Sequence, residues 1–285
     1  MRLSVFCPTV TRVTSIQARA AAFLDAHDSR KTTAGQHDWH YYAGGAGDPV
    51  LLLTGGAGIG IGWLDVAHAL TSRCRTIAPD YPSSITSCAE LVDGLVAVLD
   101  AEGIERAHVV GQSAGGMFAE LLSRRVPARV RSLTLSSTGL YGPEDVDRLR
   151  GRIEVTLATP WPETREAIRT ALRATWKDSD EAEFWIDQVL RASDVHGSVG
   201  SANSYGLLLE LAEQVDDLLR GPAWSGPTLI FRADDDPLIT PTHTDRLREL
   251  HPGAEYRTFA EGGHSLAISR TADYIALVTE FLSRT

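Results

Sequence analysis

The strongest chemical signal in this chain is a serine set among small residues. Residues 111–115 read Gly-Gln-Ser-Ala-Gly, a G-x-S-x-G pattern centred on Ser113. The apolar residues 107–110 come before it, as in a buried strand, and residues 116–122 carry apolar side chains at helical spacing. A strand, a sharp turn and a helix in this order hold a serine on strained backbone with its hydroxyl exposed. The pattern predicts that Ser113 is a nucleophile; the alternative is a glycine-rich turn with a capping serine.

A serine is a weak nucleophile, so this hypothesis requires a histidine base and a carboxylate that orients the base. Three aspartates at 234–236 follow the predicted strand 228–232, and His264 follows the predicted strand 255–259. Both groups thus come after predicted strands, as Ser113 does. Because parallel strands present their carboxyl ends at one edge of the sheet, we expect these side chains to meet there.

The order of the elements indicates an α/β fold, a mostly parallel sheet with helices on both faces. Strands are predicted at residues 39–42, 50–53, 75–78, 107–110, 130–135, 228–232 and 255–259. Helices are predicted at residues 14–28, 88–102, 116–122, 241–250 and 272–283. Between them lies a long stretch with helical segments only. The chain therefore divides into a first core part (residues 1–141), an inserted helical cap (142–220) and a second core part (221–285), with the cap over the edge that carries Ser113.

From about Trp39 to the C-terminus, apart from the cap, the chain resembles the α/β-hydrolase fold superfamily. The likeness rests on Gly111-Gln112-Ser113-Ala114-Gly115, on Arg125-Val126-Pro127-Ala128-Arg129-Val130 and on Gly263-His264-Ser265. In this family the acid of the triad commonly lies in a small-x-x-Asp pattern followed by an apolar pair. The resemblance therefore implies that Asp236 orients His264, and Asp235 is the second candidate.

The glycine-rich segment 54–62 has two interpretations. A dinucleotide cradle requires G-x-G-x-x-G, but Ile61 and Trp63 occupy the two possible positions of the third glycine, and the lysine of a phosphate-binding loop is missing. The hydrolase resemblance implies instead a loop that donates a backbone N–H to an oxyanion, with Gly56 and Ala114 as the two donors. The short Tyr81-Pro82 connection that follows is similar to that of maspardin-like members.

The cap contains several aromatic residues that would suit an apolar substrate. The candidate pocket residues are Trp63, Trp161, Trp176, Trp185 and His196. The alternative is that the tryptophans pack the cap onto the core. His37 and His40 form an H-x-x-H pair without a third ligand, so we expect no metal site, and no cofactor is expected.

Composition narrows the classes of partner. The 285 residues carry a formal charge of −10, which disfavours nucleic acid or an anionic membrane surface as a partner. No apolar stretch approaches the length of a membrane span. The apolar run within the first ten residues is too short for the hydrophobic segment of a signal peptide. Three cysteines without metal spacing (Cys7, Cys74 and Cys88) are typical of reduced thiols, so a cytoplasmic location is expected.

The sequence thus predicts a serine hydrolase that cleaves a carboxylic ester, lactone or thioester of a small apolar molecule through an acyl-enzyme. Two further functions stay open. The same triad serves C–C bond hydrolysis, or acyl transfer and cyclisation in small-molecule biosynthesis. The fold also serves non-catalytic ligand-binding proteins, because fold alone does not fix function.

Overall fold

The computed structural model describes residues 14–176, 179–220 and 224–285. Cys7 and the first ten residues, with the predictions made for them, lie outside this range. Cys74 and Cys88 are buried free thiols. Burial is the main cause that raises the pKa of Cys88, to about 12.

Eight strands of the described chain form one sheet in the order β1-β2-β4-β3-β5-β6-β7-β8. They are β1 (His27–Ala34), β2 (His37–Gly45), β3 (Asp48–Leu53), β4 (Cys74–Pro79), β5 (Ala107–Gln112), β6 (Val130–Ser136), β7 (Thr228–Ala233) and β8 (Glu255–Phe259). The β1–β2 and β2–β4 pairs are antiparallel, and every pair from β4 to β8 is parallel. The predicted mostly parallel sheet is confirmed.

Twelve α-helices are present in the described part of the chain. They are α1 (Ile16–Ala26), α2 (Leu64–Leu70), α3 (Cys88–Ala101), α4 (Ala114–Arg125), α5 (Pro143–Ala158), α6 (Trp161–Thr175), α7 (Ala182–Asp194), α8 (Gly197–Glu213), α9 (Val215–Arg220), α10 (Pro241–Leu250), α11 (Leu266–Ser269) and α12 (Thr271–Leu282). Several begin where the sequence supplies a cap. Ser87 and Glu90 form a capping box at α3, and the Thr240 hydroxyl accepts the His243 N–H at α10.

The sheet is buried on both faces because its central strands are apolar on both sides. In β3, Leu51 and Leu53 pack in one apolar cluster with α3 and α4, whereas Val50 and Leu52 pack in a second cluster with α1, α2 and α12. Side chains alternate between faces along a strand, so these two clusters cover the two faces. This layering fixes the carboxyl ends of β3, β5, β7 and β8 at one edge of the sheet.

The first strand was not predicted from the sequence, and the predicted helix 14–28 extends too far. The helix ends at Ala26, and β1 continues directly from His27 to Ala34. β1 is polar along its length because it is an edge strand with only one paired neighbour, and charged residues on such an edge discourage pairing with other chains. A two-residue turn with Gly35 at φ +59° joins it to β2.

Helices α5 to α9 lie between β6 and β7, and no strand occurs among the described residues of this segment, as predicted. We call this segment the cap. Polar contacts fasten it to the core: Arg19 bridges Asp65 of α2 and Glu181 of the cap at 2.7 and 2.8 Å. Leu207 and Leu211 of α8 belong to the core cluster of α3 and α4. No described helix has the length and hydropathy to cross a bilayer.

Candidate active site

Ser113 forms the sharp turn between β5 and α4, with φ +56° and ψ −126°. This positive φ is costly for a residue with a side chain. The flanking glycines have a steric reason: a Cβ at Gly115 would lie 2.1 Å from the Leu53 carbonyl oxygen, and one at Gly111 would lie 2.4 Å from the Gly115 carbonyl oxygen. The Thr138 hydroxyl donates to the Ser113 carbonyl oxygen at 2.7 Å. The turn is therefore fixed from both sides with the serine hydroxyl directed outward.

The structure brings Ser113, His264 and Asp236 into one chain of hydrogen bonds. The Nε2 atom of His264 lies 2.8 Å from the Ser113 hydroxyl oxygen, and its Nδ1 lies 2.9 Å from Oδ2 of Asp236. A carboxylate accepts only, so Nδ1 carries a proton and the neutral ring leaves Nε2 as an acceptor for the serine hydroxyl. The arrangement is that of a nucleophile, a base and an orienting acid.

The Asp236 carboxylate is fully buried, with a side-chain exposure of 0%. Burial, the largest influence, favours its neutral form. The hydrogen bond and charge of His264 and the backbone N–H groups of Leu238 and Ile239 outweigh burial, and they lower the pKa of Asp236 below its ordinary value. The carboxylate is thus held ionised beside the imidazole.

The neighbouring aspartate has a different task. Asp235 accepts the backbone N–H groups of Gly263 at 2.8 Å and of Gly262 at 3.3 Å. Both glycines have positive φ, +61° and +151°. Asp235 therefore shapes the loop that carries His264, whereas the bond to the imidazole comes from Asp236.

Gln112, the variable residue before the serine, is a supporting residue that the sequence pattern does not reveal. Its side-chain amide donates to the His264 carbonyl oxygen at 3.1 Å. This bond ties the nucleophile turn to the histidine loop across 152 residues of sequence. The motif carries no signal for it, because any residue is allowed at that position.

The two predicted oxyanion donors lie near the serine. A Cβ at the adjacent Gly55 would lie 3.5 Å from the Ser113 hydroxyl oxygen, so this loop passes close to the nucleophile. Within the described ranges, the N–H groups of Gly56 and Ala114 make no hydrogen bond to another residue. Both residues line one cavity. They are free to donate to a ligand there.

The chain after β4 supports this loop. The Tyr81 hydroxyl donates to the Thr54 carbonyl oxygen at 3.0 Å, and the Tyr81 N–H donates to the Gly58 carbonyl oxygen at 2.8 Å. The Asp80 carboxylate accepts the Gly60 N–H at 2.5 Å. Asp80, which stands where a dinucleotide-binding acid would, therefore holds the glycine-rich loop in shape.

The cavity has a volume of about 790 Å³ and lies between the core and the cap. Its core side is formed by the glycine-rich loop, by the chain after β4 and by Phe118 of α4. Its cap side comes from α5, α6, α7 and α8. Its volume is within the range of small-molecule sites.

The structure corrects most of the predicted pocket. His196 lines the cavity, and Trp176 donates from Nε1 to the Ser265 hydroxyl at 3.4 Å, one residue from His264. Trp63 does not line the cavity: it is buried under the sheet, with its ring 5.9 Å from that of Tyr274. Trp185 is buried in the same apolar cluster, and Trp161 donates to Asp194 on the cap surface at 3.0 Å.

The reason for this error is physical. Aromatic residues at helical spacing pack equally well against a core or around a cavity, and the spacing does not tell which. The cavity wall of the cap is built instead from aliphatic and hydroxyl-bearing residues. They include Val155, Thr156, Ile168, Leu172, Val189, Ser201 and Leu208.

The two histidines of the H-x-x-H pair have protein partners. His37 bonds the Ser84 hydroxyl at 2.8 Å, and His40 bonds Asp80 at 2.5 Å. At a different place, the base of the cap, three potential metal ligands do lie together: Glu144, Asp145 and His243. Arg246 and Arg148 already neutralise the two carboxylates there at 2.6 and 2.7 Å, so a cation would have to displace them.

Residues 48–271, most of the chain, match the family profile described as alpha/beta hydrolase fold. The chain belongs to the α/β-hydrolase fold family. It is a hydrolase of this family, with the mixed, mostly parallel sheet and inserted helical segment described above.

Three relatives illustrate the range of the family. A protein of Azorhizobium caulinodans named "Putative carbamate hydrolase RutD" is 39% identical over 113 residues, which are 35% of this chain and 41% of that protein. The sn-1-specific diacylglycerol lipase of Mus musculus is 24% identical over 227 residues, 76% of this chain and 72% of the lipase. The structure of a meta-cleavage product hydrolase from Pseudomonas fluorescens has 25% identity and a TM-score of 0.70 over 90% of this chain and 97% of that one.

Proposed function

We propose that the protein is a serine hydrolase that cleaves a carboxylic ester, lactone or thioester of a small, largely apolar molecule through an acyl-enzyme. The observation that carries the proposal is the hydrogen-bond chain from Asp236 through His264 to Ser113, at 2.9 and 2.8 Å, on a serine with φ +56°. A capping serine in an ordinary turn needs neither the strained backbone nor the buried acid.

In the first half of the reaction, the Ser113 oxygen attacks the carbonyl carbon while Nε2 of His264 removes its proton. The carbonyl oxygen gains negative charge as the tetrahedral intermediate forms, and the N–H groups of Gly56 and Ala114 donate to it. Asp236, held ionised, stabilises the imidazolium and keeps its orientation. The C–O or C–S bond to the leaving group then breaks, and the imidazolium returns the proton to that group.

In the second half, water enters the place of the leaving group. His264 removes one proton of the water as its oxygen attacks the acyl carbon, and the same N–H groups stabilise the second tetrahedral intermediate. The bond from the acyl carbon to the Ser113 oxygen breaks, the serine recovers its proton, and the acid leaves. Atoms and protons balance without a further reactant.

The cavity supports a small substrate with an apolar body. Phe118 and Leu207 line it near the core, and Leu172 and Val189 line it from the cap. Such a surface favours apolar groups by the hydrophobic effect and discriminates between them by roughly 1–3 kcal/mol per methylene. The mouse relative named as a lipase supports ester substrates.

A second candidate is hydrolysis of a C–C bond next to a carbonyl. The 25% identity to a meta-cleavage product hydrolase over 90% of this chain favours it over a ligand-binding role. The same serine would attack the carbonyl, but the leaving group would be a carbon that must accept the proton.

The experiment that tests the proposal combines labelling with turnover. A fluorophosphonate probe is expected to modify Ser113, as located by mass spectrometry, and p-nitrophenyl esters are expected to be hydrolysed with a burst of nitrophenolate. Folded protein that is neither labelled nor active would refute the proposal in favour of a ligand-binding role. Labelling with turnover of a meta-cleavage dienoate but of no ester would favour C–C hydrolysis.

A further inference from the structure

Helix α5 presents one face to the cavity. Arg152, Val155 and Thr156 line it, and their spacing of i, i+3 and i+4 places them along one side of the helix, while Thr159, just after the end of the helix, lines it as well. The other residues of this stripe are aliphatic or carry hydroxyls. Arg152 is therefore the charged member of the cap wall that this helix contributes.

The surroundings of Arg152 differ from those of its neighbours on the helix. Arg148 pairs with Asp145 at 2.7 Å, and Arg150 pairs with Glu213 at 2.6 Å. Among the described residues, Arg152 has no carboxylate within 4.0 Å. The chain has a formal charge of −10, so acidic partners are abundant, and yet no described one neutralises this arginine at the cavity.

The Arg152 side chain is exposed, and its guanidinium contacts a tyrosine. Its Nε donates to the Tyr205 hydroxyl at 3.3 Å, and its central carbon lies 5.5 Å from the centre of the Tyr205 ring. Tyr205 comes from α8, which also lines this cavity. The Tyr205 ring and hydroxyl thus favour one position of the exposed guanidinium, beside the cavity.

The remaining polar groups of this pair are donors. Arg152 keeps the N–H groups of both Nη atoms, and the Tyr205 hydroxyl accepts from Nε, so its own proton is available. A ligand group that fits must accept several hydrogen bonds and carry negative charge. A planar carboxylate meets both requirements, because guanidinium and carboxylate match as parallel hydrogen-bond pairs.

We propose that Arg152 and Tyr205 form a carboxylate subsite, so that the natural substrate is an ester, lactone or thioester whose acyl part ends in a carboxylate. This inference rests on the proposed function. Gly56 and Ala114, the proposed donors to the reacting carbonyl oxygen, line the same cavity as Arg152 and Tyr205. Phe118 and Leu208 line it as well and would contact the apolar chain between the two ends.

The acidic residues of the cavity determine how the acyl chain of the substrate is oriented. Asp38 and Asp80 line it from the core, and Asp80 is already held by His40 and by the Gly60 N–H at 2.5 Å. A substrate carboxylate is repelled on that side and attracted by Arg152 on the cap side. The charge pattern therefore orients an acyl chain with a terminal carboxylate.

The test compares two substrate series of equal chain length: p-nitrophenyl monoesters of dicarboxylic acids from adipic to sebacic, and p-nitrophenyl esters of the corresponding unbranched monocarboxylic acids. In Arg152→Gln we expect kcat/KM for the best monoester to fall about 10- to 100-fold, the range of a charge-assisted hydrogen bond, while the neutral esters change less than about threefold. Tyr205→Phe keeps the ring and should show a smaller fall, again confined to the monoesters. Arg150→Gln, on the same helix, is the matched control and should change neither series.

Equal loss for both series in Arg152→Gln, or no loss for the monoesters, overturns the subsite. A wild-type protein that hydrolyses neutral esters but no monoester overturns it as well. Thermal unfolding supplies a readout that needs no activity: sebacate should raise Tm in the wild type and not in Arg152→Gln, whereas 1,10-decanediol should not distinguish them. If no ester is hydrolysed and Ser113 is not labelled, the proposed function fails, and the sebacate shift alone decides the anion site.

Discussion

The core and the cap hold their residues in different ways. In the core, every residue of β5 before Gln112 is buried, and the strand delivers Ser113 to the edge of the sheet from within a packed interior. In the cap, α6 is described along its whole length and has no buried residue. Close packing leaves little freedom to the side chains of the core, whereas those of α6 are exposed or half-buried, with Thr164, Ile168 and Leu172 lining the cavity. The reacting groups therefore stand on the close-packed part, and α6 contributes a less buried part of the cavity wall.

The attachments of the cap reinforce this difference. Beyond the apolar residues of α7 and α8, it is joined to the core by polar bonds at separate points. They include Arg19 with Glu181, His243 with Asp145, Arg246 with Glu144, Trp176 with Ser265, Asn203 with the Ser83 carbonyl, and the Cys88 N–H with Glu210. Such contacts tolerate changes of sequence between them. A change in the core should therefore abolish the reaction, and a change in the cap should alter stability or substrate choice.

The largest effect is expected from Ser113→Ala, which tests the core directly. It removes the nucleophile, and kcat should fall by a factor on the order of 10⁶ while the folded structure and Tm remain close to those of the wild type. Shortening the side chain of a residue at φ +56° should not destabilise the turn greatly. Ester turnover by the purified variant, compared with wild type, measures the fall. Near-normal turnover would mean that another residue is the nucleophile.

The second effect separates two adjacent aspartates. Asp236→Asn breaks the bond to His264 Nδ1 and should lower kcat by about 10⁴, as loss of the orienting acid does in serine proteases. Asp235→Asn keeps one oxygen for the Gly263 N–H and should cost far less. Steady-state kinetics of both variants with one ester make the comparison. If Asp235→Asn were the more damaging, the loop of Gly262 and Gly263 would matter more than the acid.

The third effect concerns the seam between core and cap. Trp185→Ala removes a side chain that is only 4% exposed, and it should lower the free energy of unfolding by about 3–5 kcal/mol. Trp161→Phe keeps an aromatic ring and removes the hydrogen bond to Asp194, and it should cost about 1 kcal/mol. Denaturant unfolding measures both. A stable Trp185→Ala protein with altered preference for acyl length would instead indicate that Trp185 contacts the substrate.

The smallest effect is the pH dependence of stability that arises from His108, a buried histidine of the sheet. Burial, with the nearby charge of Arg131, lowers the pKa of His108 from 6.5 to about 4. Between these values the unfolded chain binds a proton that the folded chain does not, so this contribution to stability is complete above pH 6.5 and is lost as the pH falls toward 4. His108→Gln keeps a partner for the Ser132 hydroxyl. It should remove up to about 3 kcal/mol of the change in the free energy of unfolding between pH 6.5 and 4. An unchanged slope in urea unfolding between pH 6.5 and 4 would contradict this assignment.

Sequence patterns were sufficient wherever backbone geometry dictates residue type. Glycine and small residues around Ser113 reflect a turn in which a Cβ collides with Leu53, and apolar runs mark strands buried on both faces. The aspartates at 234–236 and His264 follow predicted strands, so their meeting at one edge could be anticipated from the order of the elements, whereas the choice of Asp236 rested on the family resemblance. The polar edge strand β1 could not, because nothing in its composition reports a half-exposed pair.

Contacts that a single side chain makes with a distant part of the fold could not be predicted from the sequence. Gln112 reaches the His264 carbonyl, Asp235 holds Gly263, and Tyr81 supports Thr54, yet each would suit many other places. The same holds for the tryptophans. Their spacing predicted helices in the cap correctly, but whether an apolar helix face packs on the core or lines a cavity depends on how neighbouring helices are arranged in space.

Helix α8 divides the cap into parts of unequal freedom. Its cavity-lining residues run from Gly200 to Leu208, and its second half, with Leu207 and Leu211, is embedded in the core cluster before the chain reaches β7. The β6-to-β7 connection must pass from one edge of a parallel sheet to the other, so this second half is the crossover helix of the sheet itself. An exchange of caps between related enzymes should therefore cut near Pro160 and His196. Within that segment α6 is replaceable and α7 has to keep its buried Trp185, whereas α8 has to be kept, with new specificity introduced at its cavity-lining residues up to Leu208.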